Sequence, residues 1–267
     1  MGFNFFLTIL IVYMNISLYS DIGDGSRDEN QDSYYITNKN SKNNVYAIFD
    51  GHGKSGELVS KFISTQLSHI LENEEFPLKK KRIKNIYKTI DSELKSKKLG
   101  KYSGTTALCI VQNKNVFNIL NSGDCRAVLS HDGLPIQLTR DHKPVSVNER
   151  LRIKRLGGHI SKPTHDDVDY RIKGLSVSRG FGDFFAKKFV TYVPEVFEYH
   201  PHVKDEFIIL GSDGIWDSLR NEVAVNLVRE CLYIKKMKRM KIAKVVAKTA
   251  IDMGSQDNVT VIIIFLK

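Results

Sequence analysis

The sequence predicts a mixed fold of the α/β class, of the α+β type, because short apolar runs alternate with helix-like segments along the whole chain. The apolar runs are rich in β-branched residues and are bounded by turn-forming residues, which is typical of strands. The helix-like segments repeat apolar residues at spacings of three and four. At 267 residues and without a long linker rich in Pro, Ser or Gly, the chain is expected to form one domain over residues 15–267.

Six apolar runs are predicted to be strands, because they combine β-branched residues with turn signals nearby. One such turn signal, HDGLP at residues 131–135, directly follows a run. A further segment, residues 12–19, alternates apolar with polar side chains, which predicts a half-buried strand. The six predicted strands are residues 45–49, 105–111, 116–121, 127–130, 207–211 and 259–266.

Five segments are predicted to be helices, namely residues 56–72, 77–99, 147–156, 221–232 and 240–252. The most regular is 77–99, which places apolar residues on one face, Ile83, Ile86, Ile90 and Leu94. Its other face is rich in Lys. We interpret that basic face as a solvated helix surface, and no nucleic-acid partner is expected.

The segment FDGHGKSGE, residues 49–57, invites two incompatible interpretations. Its GKS resembles the end of a phosphate-binding loop, whereas its DGH places a carboxylate beside a histidine. A Walker-type loop needs Gly five positions before the Gly-Lys pair, and Ile48 stands there. We therefore predict that Lys54 and Ser55 begin a helix and do not bind a nucleotide phosphate.

The first fourteen residues form an apolar leader without a charged side chain. The absence of Lys and Arg argues against a signal peptide. The apolar stretch ahead of the predicted strand is shorter than the ~20 residues needed to span a bilayer. Phe6 stands where a myristoylation signal needs Ser or Thr. Residues 1–14 thus have no assigned role, and membrane contact through them stays open.

Charge and cysteine content restrict the partners and the compartment. A formal charge of +10 and a pI near 9.3 favour anionic partners such as nucleic acid, anionic lipid or phosphorylated proteins. The three Cys are far apart and form no C-x-x-C pair, so neither a disulfide framework nor a zinc site is predicted. No Cys is followed six positions later by Arg, which excludes a cysteine-dependent tyrosine phosphatase. A cytoplasmic location and a monomer are expected.

Acidic residues stand at the ends of several predicted strands. Asp50, Asp124 and Asp213 follow apolar runs, and Asp257 precedes one. Strand ends can gather carboxylates from distant parts of a sequence into one cleft. Clusters with only oxygen ligands suit the hard cations Mg²⁺ and Mn²⁺ better than zinc. Each Asp alone is more often a turn or cap residue, so the prediction depends on their joint occurrence.

Eight ordered motifs resemble those of the metal-dependent type 2C protein serine/threonine phosphatases, the PPM family. The resemblance covers residues 15–267 with almost no gap. The motifs are RDENQD (27–32), FDGHG (49–53), SGTTA (103–107), NSGDCRAVL (121–129), LTRDHKP (138–144), LSVSRGFGD (175–183), GSDGIWD (211–217) and SQDNVTVIII (255–264).

The resemblance implies a central pair of mostly antiparallel β-sheets packed face to face, with helices on both outer faces (αββα). It also implies two metal ions that activate a water molecule. The implied metal ligands are Asp50, the carbonyl of Gly51, Asp213, Asp257 and, through water, Asp32.

Further residues match family positions with other roles. Asp124 and Asp217 match a third, weaker metal site. Arg27 matches the arginine that binds the phosphate, and His52 matches the proton donor. Phosphorylated proteins are the implied substrates.

One departure from the family motif concerns Gln31, which stands where many members have Glu. The missing charge implies weaker metal affinity. Three functions compete: an active phosphoserine/phosphothreonine phosphatase, a catalytically impaired binding module of the same fold, and a metal-dependent nuclease favoured by the basic charge. The presence of Asp50, Asp213 and Asp257 favours the first.

Overall fold

The computed structural model describes residues 15–25, 28–37, 41–162 and 169–267. The predicted leader, residues 1–14, lies outside these ranges. Strands over the described part are β1 (Ile16–Asp21), β2 (Ser33–Ile36), β3 (Asn44–Phe49), β4 (Gly51–Gly53), β5 (Ser103–Thr105), β6 (Ala107–Asn113), β7 (Val116–Ser122), β8 (Arg126–His131), β9 (Leu134–Gln137), β10 (Ile160–Ser161), β11 (Arg171–Ile172), β12 (Phe181–Gly182), β13 (Glu195–Tyr199), β14 (Asp205–Gly211) and β15 (Val259–Phe265).

The helices are α1 (Gly56–Asn73), α2 (Lys80–Ser96), α3 (Val147–Arg155), α4 (Asp213–Trp216), α5 (Asn221–Arg229) and α6 (Ile242–Asp252). A short π-helix follows α5 at Glu230–Ile234, and a 3₁₀-helix lies at Arg239–Lys241. None of the helices in the described ranges is long and apolar enough to cross a membrane. The chain divides into two compact units, one formed by Met1–Asp32, Arg126–Thr139 and His200–Lys267 and the other by Ser33–Cys125 and Arg140–Tyr199.

The first unit is an antiparallel five-stranded sheet with helices packed on it. Its strand order is β1-β15-β14-β8-β9. Every residue of β15 is buried, as expected for the unbroken apolar run VTVIIIF in a strand paired on both edges. The apolar sides of α5 and α6, which include Val225, Val228, Val246 and Ala250, pack into one core with this sheet.

The second unit contains a five-stranded antiparallel sheet in the order β13-β7-β6-β3-β2. Helices α1 and α2 pack on it, and the predicted apolar face of α2 is buried at all four positions, Ile83, Ile86, Ile90 and Leu94. This unit also contains a small sheet in the order β12-β5-β4, and its strand β4 includes Gly51 and His52. Ser55 is the N-cap residue of α1, which confirms that the GKS segment leads into a helix.

Several predicted elements have different boundaries in the structure, among them a strand and a helix of the second unit. Residues 105–111 form no single strand, because the chain leaves β5 at Thr105 and re-enters a strand at Ala107. Thr106 between them donates its backbone N–H to the carbonyl of Asp50, outside the strand ladder. The helix predicted from residue 77 begins at Lys80, since Pro77 and the two residues after it lie outside the helix. The break between β5 and β6 thus arises from a contact that periodicity does not report.

A buried ion-pair network fixes α3 in the second unit. The Glu149 carboxylate accepts hydrogen bonds from Arg179 Nη2 at 2.6 Å, Arg152 Nη2 at 2.7 Å and Ser178 Oγ at 2.8 Å. Burial opposes ionisation of this carboxyl group, but the hydrogen bonds from the two arginines prevail and lower its pKa to about 2.

Replacing Glu149 with Gln is therefore expected to lower the free energy of unfolding in a pH-dependent way. A carboxyl whose pKa falls on folding stabilises the protein fully above about pH 4.5, and that stability is lost as the pH falls toward 2. The expected loss is about 3 kcal/mol at pH 7 and roughly half of that at pH 3. Urea unfolding at both pH values tests this, with exposed Glu93→Gln on α2 as control. An equal loss at both pH values would contradict the assignment.

Candidate functional site

Asp50 is held by its backbone at the end of β3. Its N–H donates to Thr106 Oγ1 at 3.0 Å, and its carbonyl accepts hydrogen bonds from Thr106 N at 2.9 Å and Thr105 Oγ1 at 3.0 Å. Both threonines are buried. The backbone groups of Asp50 are thus used by the protein itself, which fixes the position from which its carboxylate projects.

Asp124, like Asp50, belongs to the second unit and lies in the turn after β7. It is 1% exposed, and one of its carboxylate oxygens lies within 4.8 Å of one from Asp50. The turn is tightly held, because Gly123 has a φ of +132° and a Cβ there would lie 2.5 Å from the side chain of Thr106. The N–H of Gly123 also donates to Nδ1 of buried His142 at 3.2 Å. Two carboxylates this close repel each other unless a cation or a proton lies between them.

His52 lies on β4 and is half-buried. Its Nε2 is 2.8 Å from Oδ2 of Asp183, which is fully buried just after β12. Gly104 lies against this pair, since a Cβ at that position would be 2.2 Å from Asp183 Oδ2 and 2.7 Å from His52 Nε2. The small sheet thus brings the histidine and its partner carboxylate together, and only glycine fits across from them.

Asp32, Asp213 and Asp257 form a second acidic group, in the first unit. Asp32 is 9% exposed, and its Oδ2 accepts a hydrogen bond from Ser212 Oγ at 2.9 Å. Its Oδ1 is buried without a hydrogen-bond partner among the described residues. Burial raises the pKa of Asp32 to about 7, and the charges of Asp213 and Asp257 also raise it, against the hydrogen bond from Ser212 and the nearby Thr260.

The backbone around these residues is closely packed. Asp213 begins α4 directly after the N-cap residue Ser212, and Gly214 packs against β15, where a Cβ would lie 2.2 Å from the carbonyl of Asn258. Asp257 accepts the N–H of Asn258 at 2.7 Å. Asp217 is exposed at the end of α4, and its N–H donates to the carbonyl of Asp213 at 2.8 Å. The end of β14 and the start of β15 therefore present acidic side chains together.

The sequence prediction missed the partners of these residues. Asp183 closes the motif LSVSRGFGD, yet nothing in that motif indicates a contact with a histidine 131 positions earlier. Thr106 belongs to SGTTA, and its two hydrogen bonds to Asp50 were likewise not predicted. Arg27, predicted to bind phosphate, lies outside the described residues.

The family model and the relatives that match this chain agree on one family. The protein phosphatase 2C family model matches residues 21–259. A PP2C-like domain-containing protein, R307, of Acanthamoeba polyphaga mimivirus is 42% identical over 165 residues, 55% of this chain and 92% of that protein. A probable protein phosphatase 2C of Arabidopsis thaliana, number 30, is 34% identical over 251 residues; these cover 90% of this chain but 61% of the relative.

A solved structure shares the fold. The phosphatase from a pathogenic strain of Toxoplasma gondii aligns with a TM-score of 0.79 at 23% identity, over 93% of this chain and 92% of that one. The predicted class, a mixed fold with antiparallel sheets flanked by helices, is confirmed by this similarity and by the sheets described above.

Proposed function

The chain belongs to the protein phosphatase 2C family, and from this premise we propose that it hydrolyses the phosphate esters of phosphoserine and phosphothreonine in proteins. The observation that carries the proposal is the presence of the acidic residues of the motifs, with carboxylate oxygens of Asp50 and Asp124 within 4.8 Å of each other. A binding module that had lost catalysis would have no need to keep such a costly arrangement of like charges.

The residues present fit divalent metal ions. All candidate donors are oxygens, which suits Mg²⁺ or Mn²⁺. Buried Asp32 Oδ1 has no hydrogen-bond partner in the described part of the chain, and carboxylate oxygens of Asp50 and Asp124 lie within 4.8 Å of each other. A nearby cation would relieve the repulsion in both groups.

We assign the metal ligands as the resemblance to the family implies. They are Asp50, the Gly51 carbonyl, Asp213 and Asp257 for two ions, Asp32 through water, and Asp124 and Asp217 for a possible third ion. Bound divalent ions would supply Lewis-acid activation of water and neutralise negative charge on the phosphate.

The remaining chemistry is assigned to side chains of the protein. Arg27 binds the phosphate oxygens, for which a planar guanidinium is well suited. His52 donates a proton to the serine or threonine oxygen as its bond to phosphorus breaks. Asp183 holds the imidazole ring through the 2.8 Å contact with Nε2. We assign Nδ1 as the atom that donates the proton to the leaving group. Asp183 acts through His52 and is a positioning residue.

Hydrolysis of a phosphothreonine peptide is expected to require added Mn²⁺ or Mg²⁺ and to stop with EDTA. The reason is that all the assigned donors are hard oxygens. No thiolate, which is a soft ligand, is among them. Phosphate release is measured with each metal, with EDTA, and after metal is added back in excess. Full turnover in EDTA would contradict the metal assignment, and no turnover with any divalent metal would favour the binding module. Single-stranded RNA and DNA serve as substrates to test the nuclease alternative.

Replacing Gln31 with Glu is expected to lower the metal concentration for half-maximal activity, by about three- to tenfold. The change restores the negative charge that many family members have beside Asp32. Gln31 is held near the second acidic group, because its N–H donates to Asn258 Oδ1 at 2.9 Å and its Nε2 to Glu29 Oε1 at 3.3 Å. Metal titration of activity is compared with Gln31→Met, which adds no charge. Superimposable titrations of the wild type and Gln31→Glu would show that this position does not influence the metal.

A further inference from the structure

A groove beside the start of α2 lies in the second unit and is not used by the residues assigned to catalysis. It has a volume of about 370 Å³. Three basic residues line it, Lys80, Lys84 and Arg140. Apolar side chains from α2 and from the start of β13, among them Ile83 and Phe197, form much of its wall. We name this feature the α2 groove.

The charge of the α2 groove has no evident structural purpose. Among the described residues neither Lys80 nor Lys84 forms an ion pair, whereas neighbouring Arg82 pairs with Glu74 at 2.9 Å. The first turn of α2 contains no acidic residue, so its positive charges oppose the helix dipole and do not stabilise the helix.

One acidic residue, Glu195, also lines the groove, but it is compensated by its own neighbours. Nearby His142, whose Nε2 lies 3.8 Å from Glu195 Oε1, and the positive charges of Arg179 and Arg140 lower its pKa, against the effect of burial. The positive charges of Lys80 and Lys84 are therefore not cancelled within the groove.

The second wall of the groove is the edge of a sheet. Residues 193–197 line it, and three of them, 195–197, are consecutive residues of β13, although neighbouring side chains of a strand point to opposite faces. The wall must therefore include the backbone edge. In the described part of the chain, β13 pairs with β7 and with no other strand. Such an edge can pair with an extended peptide, whose backbone adds affinity and whose side chains add specificity.

We propose that the α2 groove binds an extended acidic segment of the substrate protein, with an apolar side chain seated among the acidic ones. The cations select negative charge, the apolar wall selects the anchoring residue, and the strand edge selects an extended backbone. The identity of the partner as a substrate rests on the proposed function. The binding itself does not.

The test measures fluorescence anisotropy of labelled peptides with the full chain. The probe is DEDLEIDE, and two comparison peptides remove either the charge (QNQLQIQN) or the apolar residues (DEDGEGDE). The test variant is Lys80→Glu/Lys84→Glu, and Lys81→Glu/Lys88→Glu is the control, because it changes the net charge equally at exposed positions of α2 that do not line the groove. General electrostatic attraction therefore cancels between the two variants.

We expect the test variant to bind DEDLEIDE about tenfold more weakly than the control variant, and both comparison peptides to bind the wild type more weakly than DEDLEIDE. Equal affinities of the two variants, or equal binding of DEDLEIDE and DEDGEGDE, would overturn the proposal. A labelled twelve-nucleotide RNA is tested as a competitor. If the RNA binds more tightly than DEDLEIDE and also depends on Lys80 and Lys84, the groove is a nucleic-acid site and the proposal fails.

A kinetic experiment separates this proposal from the proposed function. A phosphothreonine peptide is prepared with and without DEDLEIDE joined through a flexible linker. The extension is expected to lower KM several-fold in the wild type and the control variant but not in Lys80→Glu/Lys84→Glu, with kcat unchanged in all three. Turnover with the same KM for both peptides would count against the groove alone. Groove-dependent anisotropy without turnover of any phosphopeptide would count against the phosphatase alone.

Discussion

Replacing Asp213 with Ala is expected to lower kcat/KM for a phosphothreonine peptide by about 10³-fold or more, at any concentration of Mg²⁺ or Mn²⁺. Lewis-acid activation by a bound metal supplies several kcal/mol of transition-state stabilisation, and each 1.36 kcal/mol is a factor of ten. Asp213 is assigned as a direct ligand, so no excess of metal should restore the activity.

A second measurement distinguishes loss of the metal from loss of the fold. A ligand that binds only the native state raises its stability. Added Mn²⁺ should therefore raise the Tm of the wild type and raise that of Asp213→Ala much less. Without metal the variant should stay folded, because Asp213 is one of the charges that raise the pKa of Asp32, and its removal relieves repulsion.

The matched control is Asp252→Ala, an exposed carboxylate in the same unit at the end of α6. It removes the same charge and should leave both activity and the metal-dependent Tm shift unchanged. A purified Asp213→Ala protein that keeps full activity would overturn the metal assignment. Equal losses in the two variants would show that only overall charge matters.

Elements with a strong apolar pattern could be predicted from the sequence. The run VTVIIIF predicts β15, and the regular spacing of isoleucines predicts α2, because burial alone dictates these patterns. The short strand β4 could not be predicted, since its sequence GHG has no strand preference. It is held by pairing with β5, about fifty positions later in the chain.

The site could be predicted in part for a similar reason. Asp50, Asp124, Asp213 and Asp257 could be predicted because each stands at a strand end within a recognisable motif. Their supporting contacts depend on tertiary structure. The hydroxyl of Ser212 binds Asp32 across 180 positions, and Asp183 meets His52 across 131. Such contacts leave no periodic signal in one sequence. The basic face of α2 reads from the sequence as a solvated surface, whereas the groove beside it also depends on β13, which lies about one hundred residues later in the chain.

The assignment of His52 as the proton donor predicts a loss that depends on the leaving group. A serine or threonine alkoxide is a poor leaving group and needs a proton in the transition state, whereas p-nitrophenolate leaves with little help. Positioned proton transfer is typically worth about 10²- to 10⁴-fold in rate. His52→Gln should therefore lose about that factor in kcat on a phosphothreonine peptide and much less on p-nitrophenyl phosphate.

The contact between His52 and Asp183 sharpens this test. Asp183→Asn keeps the size of the side chain but removes the carboxylate that holds the ring through Nε2 at 2.8 Å. The substitution should reproduce part of the loss on the phosphothreonine peptide and again spare p-nitrophenyl phosphate. Metal titrations of both variants should match the wild type, because neither residue is assigned as a metal ligand. If His52→Gln instead loses equally on both substrates with its metal titration unchanged, His52 positions water or phosphate and is not the acid.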